Sequence, residues 1–217
     1  MTLDFSLYKG LWTNSPKECS LEVPNHPWPE TDGKITSSFV DGDGYREYLL
    51  GYAETFGVRK YTKTSHSVQS VIPADGKFSV TVHDVEADLK STDSYDYVIV
   101  ATGHFNYPNN PTLEGEDKFS GEILHSHDFT DGANYAGKRV LCVGGSYSAE
   151  DICMSCEKNG AIFSHVSTRN PAGFGYVDWP MNVLERPGLS NISGSTVSFS
   201  HATNTIRYLT TKFVGYI

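Results

Sequence analysis

An α/β fold is predicted for this chain on three observations. The run RVLCV, residues 139–143, is apolar and rich in strand formers, and it passes through two glycines into SYSAEDICMSCEK, which has helical spacing. AIFSHVSTR then reads as a second strand, and strand–helix–strand within about thirty residues implies a parallel sheet. Thirdly, Asp75-Gly76 separates TSHSVQSVI from KFSVTVHDV, in which Phe78, Val80 and Val82 alternate with polar residues, the pattern of a β-hairpin.

Taken in chain order, GYREYLLGYAETF (44–56) sets Tyr45, Tyr48, Leu49, Tyr52 and Phe56 at helical spacing, and Gly57 is placed to end that helix. The DGDG of Asp41 to Gly44 follows no apolar strand and reads as a loop or helix entry. After the hairpin, YDYVIVATG is a continuous apolar run that fits a strand buried on both faces. GHFNYPNNPTLEG, rich in Pro, Asn and Gly, reads as a linker, so a domain boundary is expected there, dividing 1–105 from 106–217. In the second half, Asn159-Gly160 stops the helix, and the following strand ends in Ser167-Thr168-Arg169. The tail from Asn170, with NPAGFGYVDWP and ERPG, is turn-rich and has no clear periodicity.

Composition narrows the functional classes. With 38% hydrophobic residues in 217, a packed core is expected rather than disorder. The net charge is −9 and the 17 Lys and Arg are scattered, which argues against a nucleic-acid partner. YVIVA and VLCV are far too short to span a membrane, and MTLDFSLYKGLW lacks the basic and apolar regions of a secretory leader, so a cytoplasmic location is expected. Cys153 and Cys156 form a lone CxxC; without a second pair it reads as two reduced helix cysteines, and no metal site is expected.

The glycine loop carries the chemistry. A dinucleotide-binding fingerprint is GxGxxG or GxGxxA between strand and helix, and its three positions here are Gly144, Ser146 and Ala149. Gly144 permits the tight turn and Ala149 permits close helix–strand packing. Ser146 departs from the pattern: it takes some room from a pyrophosphate but offers a hydroxyl. A helix beginning there points free N–H groups at an anion. An acidic residue at the second strand's end would accept from the ribose 2′-hydroxyl of NAD. Arg169 stands there instead, and a guanidinium suits the 2′-phosphate of NADP(H). The expected unit is a Rossmann-like βαβ NADP-binding domain.

Several segments together resemble one family. Phe119, Gly121, His125 and Phe129 in FSGEILHSHDF fit FxGxxxHxxx(F/Y), the identifying motif of flavin-containing monooxygenases, placed just before the NADPH loop as in that family. LYKGLWTNSPKE, GVRKYTKTSHSVQSV, YDYVIVATGHFNYPNNP, GSYSAED and WPMNVLERPGL are similar in the same order, over about residues 5 to 190. The resemblance is greatest to bacterial members that oxygenate trimethylamine, in which a Tyr also occupies the middle of the loop, as Tyr147 does here. It implies a domain that binds FAD joined to one that binds NADPH. It further implies reduction of the flavin by NADPH, activation of O2, and transfer of one oxygen to a soft nitrogen or sulfur of a small amine or sulfide. Asn14 and Tyr147 match catalytic positions; Asn14 would contact flavin and nicotinamide. Trp12, Ser146, Tyr147, Ser148 and Arg169 match cofactor positions, as do Gly144, Ala149 and Asp151 of the loop and helix. Val68 and Thr102, within the Ala101 to Gly103 ATG, fall where the family wraps FAD. No general base or nucleophile has to be found, because the flavin carries the chemistry.

Family members open with a strand, GxGxxG and an acidic ribose partner for FAD, and residues 1 to 60 contain no such fingerprint. The resemblance therefore implies a partial FAD-binding domain over 1–105 and a C-terminally incomplete NADP-binding domain over 106–217, with flavin binding and oxygenase activity impaired. The alternative is a non-catalytic module that keeps an NADPH site. A plain NADPH-dependent reductase is disfavoured because no Tyr-x-x-x-Lys or comparable proton donor is read beside the nicotinamide. A homodimer is carried as a possible association.

Overall fold

The computed structural model describes residues 7–20, 22–30, 36–103, 107–168, 180, 182–200, 206–207 and 211–215. By its internal contacts the chain forms two units, Met1–Gly44 with Phe105–Ile217, and Tyr45–His104.

The short helix α1 (Lys17–Ser20) precedes α2 (Gly42–Thr55). Asp41 starts α2, its side chain accepting from the N–H of Gly44 at 2.7 Å, which satisfies one of the amide donors that a helix start leaves free. Gly57, at φ 61, follows the helix and donates to the carbonyl of Glu54.

In the second unit β1 (His66–Ala74), β2 (Lys77–Asp84) and β3 (Leu89–Tyr95) form an antiparallel meander in the order β1-β2-β3. Asp75 and Gly76 both take positive φ, 49° and 75°, as a two-residue hairpin turn demands, so Ala74 pairs with Lys77. The next turn is shaped by Asp84, whose carboxylate accepts from the N–H groups of Glu86 and Ala87, both at 3.0 Å. The expected buried strand YDYVIVATG is corrected: Tyr95 ends β3, and 97–103 runs outside any strand, with Tyr97, Ile99 and Val100 at 87%, 89% and 77% exposure. An apolar run becomes a buried strand only where neighbours pair its backbone and cover both faces, and no described strand pairs with this one.

The first unit is built on five parallel strands. They are β4 (Glu122–His125), β5 (Arg139–Val143), β6 (Phe163–Ser167), β7 (Val183–Arg186) and, after the hairpin of β8 (Leu189–Ser193) and β9 (Thr196–Phe199) and the short β10 (Ile206–Arg207), β11 (Thr211–Gly215). Their order is β4-β11-β5-β6-β7, and every pairing in it is parallel. The helix α3 (Tyr147–Lys158) lies between β5 and β6 in sequence.

Alternation along β5 divides its side chains between two cores. Val140 and Cys142 join Ala149, Ile152, Cys153 and Cys156 of α3, with Phe129, Tyr135, Ala161, Val166 and Val183. Leu141 packs instead with Ile192, Val197 and Phe199 of the hairpin, and Val143 lies against the same cluster. Burial of both faces explains why RVLCV carries no polar alternation. Each fully buried aliphatic here stabilises the fold by roughly 1.5–3 kcal/mol.

Candidate functional site

The parallel register places Val143, Ser167 and Arg186 side by side at the carboxyl edge of the sheet, where open α/β sheets bind ligands. Between β5 and α3 the chain turns on two glycines. Gly144 takes φ 127 and donates its N–H to the carbonyl of Ser167 at 2.9 Å. Gly145 approaches β6 so closely that a Cβ there would lie 2.7 Å from Thr168 Oγ1. Ser146 is the N-cap of α3, with extended backbone at φ −104 and ψ 174, and its hydroxyl makes no capping bond. Its carbonyl accepts from Ala149 and Glu150, and its polar side chain stands beside the helix N-terminus.

Tyr147 opens α3 at 54% exposure, Ser148 is half-buried, and Ala149 is buried in the helix–sheet core. Asp151, four residues after Tyr147 and so on the same helix face, accepts from the hydroxyl of Tyr8 at 2.8 Å. Burial holds the Asp151 carboxyl above its usual range despite that bond, and burial with the adjacent carboxylate raises Tyr8 as well. Glu150, next along, is raised by burial and by the charge of Asp151.

The segment bearing Trp12 and Asn14 belongs to the same unit. Trp12 forms an antiparallel bridge with Asp41, and Thr13 donates to the carbonyl of Val40 at 2.9 Å. Trp12 is 52% exposed and lines a cavity of about 290 Å³ with Lys9, Asp131, Asp151, Met154 and Lys158. Asn14 sits in a bend before α1, exposed, and its side chain has no hydrogen-bond partner among the described residues. Val68, on β1, is exposed at 59%, and Thr102 is exposed in the extended run; both belong to the other unit. Arg169 lies outside the described residues.

In FSGEILHSHDF, Phe119, His125 and Phe129 are held by the fold. Phe119 packs against the hairpin core. The Nδ1 of His125 accepts from the N–H of His127 at 3.1 Å, and burial lowers the pKa of His125. Phe129, 1% exposed, meets the Tyr8 ring edge-on at 5.4 Å and stacks on Tyr135 at 5.5 Å. Cys142, Cys153 and Cys156 are buried free thiols, and Cys153 donates to the carbonyl of His165. Among the described residues no group of three or more His, Cys, Asp or Glu is arranged to hold a metal ion.

Sequence reasoning missed Gly145, Thr168, Tyr8 and Arg186. Gly145 falls between the fingerprint positions. Tyr8 is 143 residues from its partner, and no local pattern could link them. Arg186, opposite Ser167 at the sheet edge, has a buried Nε without a hydrogen-bond partner among the described residues.

A family model described as FMO-like, flavin-binding monooxygenase-like, matches residues 4–177. This chain belongs to the flavin-binding monooxygenase-like family. It is 36% identical over 215 residues to a trimethylamine monooxygenase of Methylocella silvestris, covering 98% of this chain and 47% of that protein. It is 40% identical over 197 residues to one of Roseovarius nubinhibens, covering 90% and 43%. The crystal structure of Tmm from a Pelagibacter species superposes with a TM-score of 0.86 at 33% identity, over 96% of this chain and 47% of that one. The chain thus spans less than half the length of these relatives. Flavin-binding monooxygenases are oxidoreductases that use FAD and NADPH, and the mixed α/β architecture described above is theirs. No described helix is long and apolar enough to cross a membrane.

Proposed function

We propose that this chain forms part of a monooxygenase of the N,N-dimethylaniline or trimethylamine monooxygenase type, oxygenating a soft nitrogen or sulfur centre of a small amine or sulfide with FAD, NADPH and O2. The observation that carries this reading is the glycine turn at the sheet edge. It combines the Gly144 backbone at positive φ with a Ser146 hydroxyl that makes no capping bond, at the start of a twelve-residue helix. These features fit a dinucleotide pyrophosphate, which needs close backbone approach and donors.

In this proposal 106–217 is a Rossmann-like NADP-binding domain and 1–105 part of an FAD-binding domain. Ser146 and Ser148 donate to coenzyme oxygens, with Gly144 and Ala149 shaping the loop. Arg169 takes the 2′-phosphate, a charge-assisted contact worth roughly 1.5–3 kcal/mol. Val68 and Thr102 fall where the family wraps FAD, and Trp12 is a cofactor-side residue. FAD, when bound, would supply the redox chemistry between NADPH and O2. Asn14 and Tyr147 touch the reacting groups: the amide of Asn14 donates and accepts together, so one side chain orients both the nicotinamide carboxamide and the oxygen to be transferred. Tyr147 reaches towards the flavin.

The test is NADPH-driven O2 consumption on adding trimethylamine, with an absorption spectrum of the purified protein across the flavin bands. Amine-stimulated uptake supports the proposal. A protein that binds NADPH, carries no flavin and consumes no O2 is instead a coenzyme-binding module. Separately, equal affinities for NAD and NADP in the wild type would remove the role given to Arg169, and Arg169→Ala is expected to weaken NADPH about tenfold to a hundredfold.

A further inference from the structure

The segment that carries Trp12 and Asn14 is tied to α3 by a side chain to which nothing above assigns a function. Tyr8 donates to Asp151 at 2.8 Å while its ring stands edge-on to Phe129, 5.4 Å away and inclined at 70°. The adjoining residue repeats the attachment: Lys9 donates its N–H to the carbonyl of Thr130 at 2.8 Å, and its ammonium lies 3.5 Å from Asp131. Four residues after Tyr8, Trp12 lines the cavity that Lys9 and Asp151 also line. Asp151 in turn is one helical turn beyond Tyr147, on the same face of α3.

We propose that the Tyr8–Asp151 hydrogen bond is a positioning pair, which sets the Trp12–Asn14 segment in register with the first turn of the helix that presents Tyr147. This rests on the function proposed above, in which Asn14 and Tyr147 serve one reaction. Asp151 is then a positioning residue that acts through Tyr8, which holds its Oδ2. Phe129 fixes the plane of the Tyr8 ring, so the hydroxyl reaches the carboxylate from one direction. That gives the last residue of the FxGxxxHxxx(F/Y) motif a physical task. The half-buried carboxylate makes the hydroxyl matter: without it the carboxylate would keep only the charge of Lys158 against its desolvation, and the segment would lose a directional tie to α3.

The experiment uses Trp12 as reporter in the full chain, with Trp28 and Trp179 each changed to Phe. Two quantities are read: acrylamide quenching of Trp12 emission without coenzyme, and energy transfer from Trp12 to bound NADPH. Tyr8→Phe is expected to raise the quenching and reduce the transfer, while NADPH affinity stays within about threefold, because the glycine loop is untouched. Asp151→Asn retains an acceptor oxygen at the same position and is expected to keep the transfer. If Tyr8→Phe changes neither quenching nor transfer, the pair does not position the segment. If NADPH affinity and thermal midpoint fall together with the transfer, the bond is only structural and the proposal is overturned. Wild type that binds no NADPH overturns the proposed function and the positioning role that depends on it. That failure is told apart from failure of the pair because the quenching measurement needs no coenzyme.

Discussion

The Cβ that Gly145 lacks would lie 2.7 Å from Oγ1 and 2.9 Å from Cβ of Thr168, so the loop and the end of β6 meet with no room for a side chain. Gly145→Ala must push them apart, and overpacking of this kind costs about 1–3 kcal/mol. The expected outcome is a lower denaturation midpoint together with weaker NADPH binding. Thr168→Gly removes both close atoms, and combining it with Gly145→Ala should recover part of the loss. Strictly additive effects in that double-mutant cycle would mean the two residues do not compete for space.

The strand, turn and helix that frame the candidate site were legible because their signals are local. RVLCV, the glycines and SYSAEDICMSCEK each state their own structure, and the helix stops at Asn159-Gly160 as expected, with Gly160 at φ 88. The Asp75-Gly76 hairpin was legible for the same reason. LKSTDSY was not: β3 is exposed throughout, so no apolar alternation marks it, and it is held as a strand by pairing with β2 and a Thr81–Thr92 hydroxyl contact. YVIVA misled in the opposite sense, since hydrophobicity reports a wish for burial and not the presence of a cover. Strand β11 is made by position, lying between β4 and β5, which no reading of KFVG alone supplies.

The exposure of 97–103 has a measurable consequence. Ile99, at 89% exposure, has little packing to lose, and Ile99→Ser is expected to shift stability by no more than about 0.5 kcal/mol while improving solubility. Ile152, at 1% exposure in the helix–sheet core, is the contrast: Ile152→Ala is expected to cost about 2–5 kcal/mol. Urea denaturation of both variants decides the matter. A large loss at Ile99 would show that the run is buried in solution.

His165 makes stability depend on pH. It is 4% exposed and stacked on Phe163 at 4.4 Å, and burial, followed by the charge of Arg186, pushes its pKa down to about 4 from 6.5. Above 6.5 the ring is neutral in both folded and unfolded chains, and its full contribution is present. As pH falls below 6.5 the unfolded chain takes up the proton first, so stability declines until about pH 4, by on the order of 3 kcal/mol. His165→Asn cannot take up that proton. The gap between wild type and variant in urea midpoint should therefore shift in the variant's favour between pH 7 and pH 4.5, and parallel curves would rule out the buried ring as the cause.

Phe129 tests whether the FxGxxxHxxx(F/Y) motif works through packing. Its ring is 1% exposed, edge-on to Tyr8 and stacked on Tyr135, so Phe129→Ala removes a core aromatic and two ring contacts together, an expected loss of about 3–5 kcal/mol. Phe129→Leu keeps most of the volume and loses the edge-on geometry, which for an aromatic pair is worth about 0.5–1.5 kcal/mol. Combining Phe129→Leu with Tyr8→Leu should then cost less than the sum of the two changes, because each alone already breaks the shared contact. Additivity would place the contribution of Phe129 in burial alone. Coupling would tie the motif to the segment that carries Trp12 and Asn14 through one ring-to-ring contact, with Tyr8 free to pass that constraint on to Asp151.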